Sequence, residues 1–312
     1  MKSVLIFGIG GFVGPYLAQE FLDAGYKVFG SDIIEGRSLP KGVSFYQANL
    51  LDSIAVENVL KSCSPTIVVN LAAISSVGMS WKMPQKTMEV NVIGTLNVLE
   101  GVKKLPSLPK VLLVGSSEEY DISDAPMSEK QPILANNPYG ISKVTQERFA
   151  SIYKEQYGLK IYYVRPFNHT GIGQRDTFVL PSFCKQVAEI EKSGKSGTIK
   201  VGNLEAWRDF SHVKDIVRAY RMVVESEDND IVFNIGSGES HSLKDMLNYI
   251  ISLATVSINV EIDPERFRPI DNPYICCDNS FIKTELGWEP ESSVYDALIE
   301  MYKNYLNDNK NT

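Results

Sequence analysis

The 312-residue sequence is poor in the residues that build metal centres and disulfide frameworks. It has four cysteines (Cys63, Cys184, Cys276, Cys277) and three histidines, with no C-x-x-C pair. No metal site and no staple are expected from that set, and a reducing cytoplasm is the expected compartment. Positive charge is short as well, with 31 Lys and Arg against 38 Asp and Glu. That balance argues against a nucleic-acid partner, which normally meets a basic field. Long hydrophobic runs are missing. The N-terminus offers only Val4 to Phe7 before glycines, too short for a secretory segment or a membrane span. Apolar residues still make up 44%, enough for a globular chain of two lobes or one large α/β domain.

That first apolar run, Ser3 to Phe7, reads as a buried parallel strand and runs into Gly8-Ile9-Gly10-Gly11-Phe12-Val13-Gly14. A helical pattern follows and stops at Gly25. Strand, glycine turn and helix together are the context of a dinucleotide fingerprint. Gly8 makes the tight turn, Gly11 admits a pyrophosphate, and Gly14 lets the helix lie close on the sheet. The amides at the helix start, Phe12 and Val13 among them, face the phosphates. The next strand ends at Asp32, placed to bond a ribose 2′-hydroxyl and repel a 2′-phosphate. The expected cofactor is therefore NAD(H) or NADP(H), with Asp32 favouring NAD(H) and Arg37 close enough to greet a phosphate.

Strands and helices keep alternating, which predicts a Rossmann-type doubly wound parallel sheet with ligands at the carboxyl ends of its strands. Four stretches fall at such positions. Asn49-Leu50 is a turn able to bracket an adenine, and Leu71-Ala72-Ala73 has small residues for a cofactor to cross. Ser116-Ser117-Glu118 ends another strand. Asn137-Pro138-Tyr139-Gly140-Ile141-Ser142-Lys143 starts a helix, with Asn137 as cap and Pro138 at its first position. Tyr139 and Lys143 are four apart on that helix, a phenol with an ammonium one turn away, which would favour phenolate.

After about residue 167 the alternation breaks. The expected division is a dinucleotide-binding domain of 1–167 plus 212–236 and a smaller mixed α/β substrate lobe of 168–211 plus 237–312. Arg208 and Arg268, in segments that read as loops, could clamp a diphosphate or pair with Asp209 and Asp271. His169 and His212 have no readable partner and read as structural.

Gly8-x-x-Gly11-x-x-Gly14, the Ser116-Ser117 strand end and Tyr139-x-x-x-Lys143 together resemble the extended short-chain dehydrogenases/reductases that act on nucleotide sugars. Gly115 to Tyr120, Arg165 to Gly171, Val201 to Phe210, Asp263 to Pro269 and Gly287-Trp288 are similar to the branch acting on GDP-linked 4-keto sugars. The resemblance implies a C4 ketoreductase, with Tyr139 as general acid, Lys143 tuning it, and Ser116 polarising the ketone. It counts Asn91 with the cofactor residues, and Ser117, Glu118, Asn168, Val201, Arg208, Arg268 and Asp271 with the sugar nucleotide. It also implies a homodimer through the helix after Pro84 and the helix carrying Tyr139. The alternatives are a GDP-sugar 4,6-dehydratase, with Glu118 as its carboxylate, a reductase of opposite stereochemistry or for a heptose, and a non-catalytic dinucleotide sensor. The sequence departs from the family's usual residues at Phe7, Asn49, Asn70, Asp121 and Ile172.

Overall fold

The computed structural model describes residues 2–35, 39–227, 232–267 and 272–308. Arg37, Arg268 and Asp271 lie outside the described residues. The first half alternates as its pattern requires: β1 (Ser3–Phe7), α1 (Gly14–Asp23), β2 (Lys27–Asp32), β3 (Val43–Gln47), α2 (Ser53–Cys63) and β4 (Ile67–Asn70). Then come α3 (Val77–Lys82), α4 (Pro84–Met88), a π-helical turn (Glu89–Ile93), α5 (Gly94–Lys103), β5 (Lys110–Val114), α6 (Pro138–Tyr157) and β6 (Lys160–Pro166). The expected helix after Pro84 runs without a break to Lys103, with the π turn that carries Asn91 inside it.

The later elements are β7 (Asn168–Thr170), α7 (Val179–Ser193), β8 (Gly197–Val201), β9 (Trp207–His212), α8 (Val213–Glu225) and β10 (Val232–Ile235). They are followed by β11 (Ser240–Ser242), α9 (Leu243–Ser252), β12 (Ile258–Ile262), β13 (Tyr274–Ile275), α10 (Ser280–Leu286) and α11 (Val294–Asn307). Seven strands form one sheet in the order β10-β6-β5-β4-β1-β2-β3, and every pair in it is parallel. This is the doubly wound Rossmann architecture that the alternation predicts. The order reverses at β1 and β4, so the crevice for a ligand opens between the ends of those two strands.

Helices cover both faces, which is why strands such as Val4-Leu5-Ile6-Phe7 are apolar throughout and wholly buried. One face carries α1 and α8, with Phe21, Ile216 and Tyr220 in its core. The other carries α2, α5 and α6, through Val56, Leu60, Leu99 and Tyr153. A third core joins α7, α9 and α11 to β8 and β9 through Phe183, Met246 and Leu298. Between α9 and α11 of that lobe the chain returns once to the first core. Ile282 of α10 and Trp288, both fully buried, pack into the first core.

Two expectations for this half change in the structure. Arg208 is on strand β9, paired with β11 and β13, and not in a loop, because short strands from three separate segments complete the ladder there. His212 has partners. It caps α8 by accepting from the Lys214 amide at 3.1 Å, and its Nε2 lies 3.3 Å from Glu300 of α11. All four cysteines are free and buried, as small apolar side chains.

Gly14 starts α1 hard against the glycine turn, since a Cβ there would lie 2.0 Å from the Ile9 carbonyl oxygen. Gly14→Ala gains about 1 kcal/mol of helix propensity. The backbone clash forces α1 off its seat and costs more, so a net loss of roughly 1–3 kcal/mol is expected as a lower urea midpoint.

Candidate active site

The glycine turn sits in the crevice. Gly8 has φ +79° and its amide donates to the Ser31 carbonyl at 2.8 Å; a Cβ there would fall 2.6 Å from the Ala72 amide nitrogen. The turn after β1 and the Leu71-Ala72-Ala73 segment after β4 are therefore in direct contact. Asp32 closes the turn from the other side, accepting from the Gly10 amide at 3.0 Å and from the Ile33 amide at 2.7 Å. Helix α1 starts at Val13 and Gly14 with no side-chain cap, so its first amides are available to an anion. Phe12 stacks on His169, centroids 6.1 Å apart, which ties this turn to the β7 segment.

Asn49 and Leu50 lie at the end of β3. Asn49 accepts from the Leu51 amide at 3.0 Å, fixing the turn, and Leu50 is buried against α5. A cradle of glycines, exposed helix amides and an acid beside the turn fits a dinucleotide, which Gly8, Gly11, Phe12, Val13 and Asp32 could hold. Asn91 works differently. Its side chain accepts from the Ile74 amide at 2.8 Å and donates to Ser142 Oγ at 2.8 Å, so it fastens the loop after β4 to α6.

At the end of β5, Ser116 caps a short 3-10 turn (Ser117–Glu119), accepting from the Glu118 amide at 3.2 Å. Helix α6 starts beside it, capped by Asn137, which accepts from the Gly140 amide at 2.9 Å. Turn and helix touch so closely that a Cβ on Gly140 would lie 2.2 Å from the Glu118 carbonyl oxygen. This contact brings Ser116, Tyr139 and Lys143 together. The Ser116 side chain faces the Tyr139 phenol. The Lys143 ammonium lies 5.7 Å from the Tyr139 ring centre and donates to the Val114 carbonyl at 2.7 Å. All three residues are buried.

Burial sets the electrostatics. It lowers the Lys143 ammonium to about 8. It also raises Tyr139 above the ordinary phenol range, with the Ser116 hydroxyl pulling the other way. The expected preference for phenolate is thus reversed in the structure, because desolvation of the anion is the largest effect. Near neutrality Tyr139 keeps its proton, the form a proton donor needs.

Glu118 accepts from Asn137 Nδ2 at 2.8 Å, and Ser117 is buried next to it. Asn168 has a buried Nδ2 with no hydrogen-bond partner among the described residues, a donor open to a ligand. Val201 is buried in the core of the second lobe, and its carbonyl accepts from the Asp263 amide. Arg208 is buried, with one nitrogen donating to the Trp207 carbonyl at 2.8 Å. Among the described residues no cluster of histidine, cysteine and acidic side chains could hold a metal ion, and no helix is long and apolar enough to cross a membrane.

The family model of GDP-mannose 4,6 dehydratase matches residues 5–301. The chain belongs to that family. It is an NAD(P)-dependent nucleotide-sugar enzyme of the extended short-chain dehydrogenase/reductase type. Among relatives of this family member, GDP-6-deoxy-D-mannose reductase of Pseudomonas aeruginosa is 25% identical over 300 residues, covering 95% of each chain. GDP-mannose 4,6-dehydratase of Yersinia enterocolitica is 29% identical over 350 residues, covering 96% of this chain and 93% of that one. In structure, UDP-glucose 4-epimerase of Thermus thermophilus, solved with NAD, has a TM-score of 0.88 at 26% identity, over 99% of this chain and 100% of that one.

Several parts of the site carried no readable signal. Gly140 reads as a helix residue until the Glu118 backbone is seen against it. Ser80, whose hydroxyl accepts from the Tyr139 amide at 3.2 Å, is 59 residues away in sequence.

The lowered Lys143 value has a sign that can be checked in the cofactor-free protein. Between about 8 and the ordinary 10.5 the unfolded chain holds a proton that the folded one has lost. Wild-type stability therefore climbs with pH across that window. Lys143→Met lacks the climb, so its unfolding free energy relative to wild type should fall by on the order of 3 kcal/mol from pH 8 to pH 10.5. Urea unfolding of both proteins at three pH values measures it, and a constant difference would contradict the buried-ammonium assignment.

Proposed function

We propose that the protein reduces the C4 ketone of a GDP-linked 4-keto-6-deoxy sugar, GDP-4-keto-6-deoxy-D-mannose to GDP-6-deoxy-D-mannose (GDP-D-rhamnose). The observation that carries the reading is Tyr139, buried and protonated, facing Ser116 with Lys143 beside it at the carboxyl end of β5. The bound nicotinamide dinucleotide supplies the hydride. Ser116 donates to the ketone oxygen, and Tyr139 gives its proton to the oxygen as negative charge grows there. Lys143, still cationic near neutrality, stabilises the phenolate that results.

The GDP-sugar assignment is supported by the names of the P. aeruginosa and Y. enterocolitica relatives and by the family description. The cofactor lies in the part made of 1–167 plus 212–236, and the sugar nucleotide meets the part made of 168–211 plus 237–312. Asn168, Arg208 and, outside the described residues, Arg268 and Asp271 hold the sugar nucleotide, with Ser117, Glu118 and Val201 beside it. Asp32 favours NADH. Two exposed isoleucines on the Tyr139 helix, Ile141 and Ile152, and Ile93 on the preceding helix support a homodimer through those helices.

A second reading, 4,6-dehydration of GDP-mannose, is favoured by the Glu118 carboxylate, close enough to Tyr139 to raise its pKa further.

Incubation with GDP-4-keto-6-deoxymannose is expected to consume reduced cofactor, followed by its absorbance, while GDP-mannose alone gives no 4-keto product. Tyr139→Phe should lower kcat by roughly 10²–10⁴-fold with KM changed little, and equal turnover would remove the phenol from the reaction. Asp32→Ala should shift the NADH to NADPH ratio of kcat/KM toward NADPH, and an unchanged ratio would show that Asp32 does not read the ribose.

A further inference from the structure

Behind the Ser116-Tyr139-Lys143 group lies a second, fully buried acidic cluster that the reaction above does not use. Glu119 is wholly inaccessible. Its Oε1 accepts from the Ser116 amide at 2.7 Å and lies 3.2 Å from the Tyr163 hydroxyl, which is in turn 2.9 Å from the Lys143 carbonyl. One side chain thus touches both the strand end that presents Ser116 and the residue that anchors the Lys143 turn of α6.

The other oxygen is the informative one. Glu119 Oε2 has no hydrogen-bond donor among the described residues. The nearest cation, Arg165, has its Nε 3.7 Å away and is committed elsewhere. Arg165 forks onto Glu147, with Nε to Oε2 at 3.0 Å and Nη2 to Oε1 at 2.7 Å, and its Nη1 donates to the Tyr120 hydroxyl at 2.8 Å. Glu147, from the same helix as Lys143, faces the same Arg165 Nε that Glu119 Oε2 faces. Two carboxyl groups therefore meet around one guanidinium. A buried carboxylate oxygen facing another carboxylate and no donor is costly, whereas one proton between the two removes the deficit and leaves a neutral set with Arg165.

We propose that Glu119 is an un-ionised carboxylic acid sharing its proton with Glu147, and that it acts as a positioning residue holding Ser116 and the Lys143 turn in register for ketone reduction. The positioning part rests on the function proposed above; the protonation part does not. The charged and titratable groups facing Glu119 are Glu147 and Lys143 from α6, with Tyr139 on the same helix, and Arg165 and Tyr163 from β6. Burial and the neighbouring Glu147 both favour the protonated form. The chemistry is that of two carboxyls too close to ionise together.

The test pairs E119Q with E119L. The amide of E119Q can accept from Ser116 and donate to Glu147, as a neutral acid does, so kcat should stay within about fivefold and the alkaline limb of its pH profile should not move. E119L leaves the Ser116 amide unpaired, and kcat should fall about 10–100-fold with KM changed far less. An E119Q loss as large as that of E119L, or a displaced alkaline limb, would show an ionised Glu119 and overturn the proposal, as would wild-type turnover in E119L.

Two readouts need no turnover. The infrared spectrum at pH 7 should contain a carboxylic-acid C=O band that E119Q lacks, and E147Q should also abolish it by leaving Glu119 as the sole partner of Arg165. Amide exchange of the 115–120 segment should quicken in E119L but not in E119Q. If the wild type reduces no nucleotide sugar, the proposed function fails while these two readouts still decide the state and contacts of Glu119. A missing band or equal exchange in both variants overturns the inference by itself.

Discussion

The hydrogen bond from the Lys143 ammonium to the Val114 carbonyl is the contact on which the rest of the site depends. It takes a charged side chain off a helix and fixes it at the end of the central sheet, where burial lowers its proton affinity. The position follows from the architecture. Strand β5 must end at residue 114, the 3-10 turn must fold back, and α6 must start against that turn. If any of these shifts by a residue, the ammonium loses its acceptor in a dry place. A buried, unpaired lysine would then cost more than the site returns.

The same logic governs the cofactor side, where absent side chains rather than charges set the geometry. Gly8 and Gly140 stand where a Cβ would strike backbone from another segment, Ala72 and Glu118, and Gly14 stands where it would strike Ile9 in the turn before its own helix. Together they let the turn after β1, the turn after β4 and the start of α6 converge around one crevice. The polar residues that stitch these pieces together are buried and satisfied by one another: Asn91 with Ile74 and Ser142, Asn70 with Thr95, and Asn137 with Glu118. Asn70, one of the departures from the family's usual residues, is held by such bonds to Thr95 and the Ala72 amide.

Much of this was legible in the chain because it is local. A five-residue apolar run, glycines at fixed spacing, an acid at the end of the next strand, and a cap before Pro138 each encode one turn of backbone. Their recurrence fixes a parallel sheet. Contacts across long separations leave no such local mark. Arg208 looked like a loop residue since β9 is completed by strands from residues 240 and 274. Trp288 gave no hint of returning to the first core. Tyr139 was expected to lose its proton easily because its lysine neighbour is visible in the sequence and its desolvation is not. Glu119 reads as one more acid in an acidic chain, and only its complete burial beside Ser116 and Glu147 gives it a task.

The central claim is that hydride reaches C4 of the sugar while Tyr139 supplies the proton. Reduced cofactor carrying deuterium at the transferable position of its nicotinamide tests it most directly, with the product analysed by NMR after incubation with GDP-4-keto-6-deoxymannose. The account predicts one deuterium at C4 of the 6-deoxy sugar, in an amount equal to the cofactor oxidised. Deuterium at C6, or product formed with no label at C4, would contradict it.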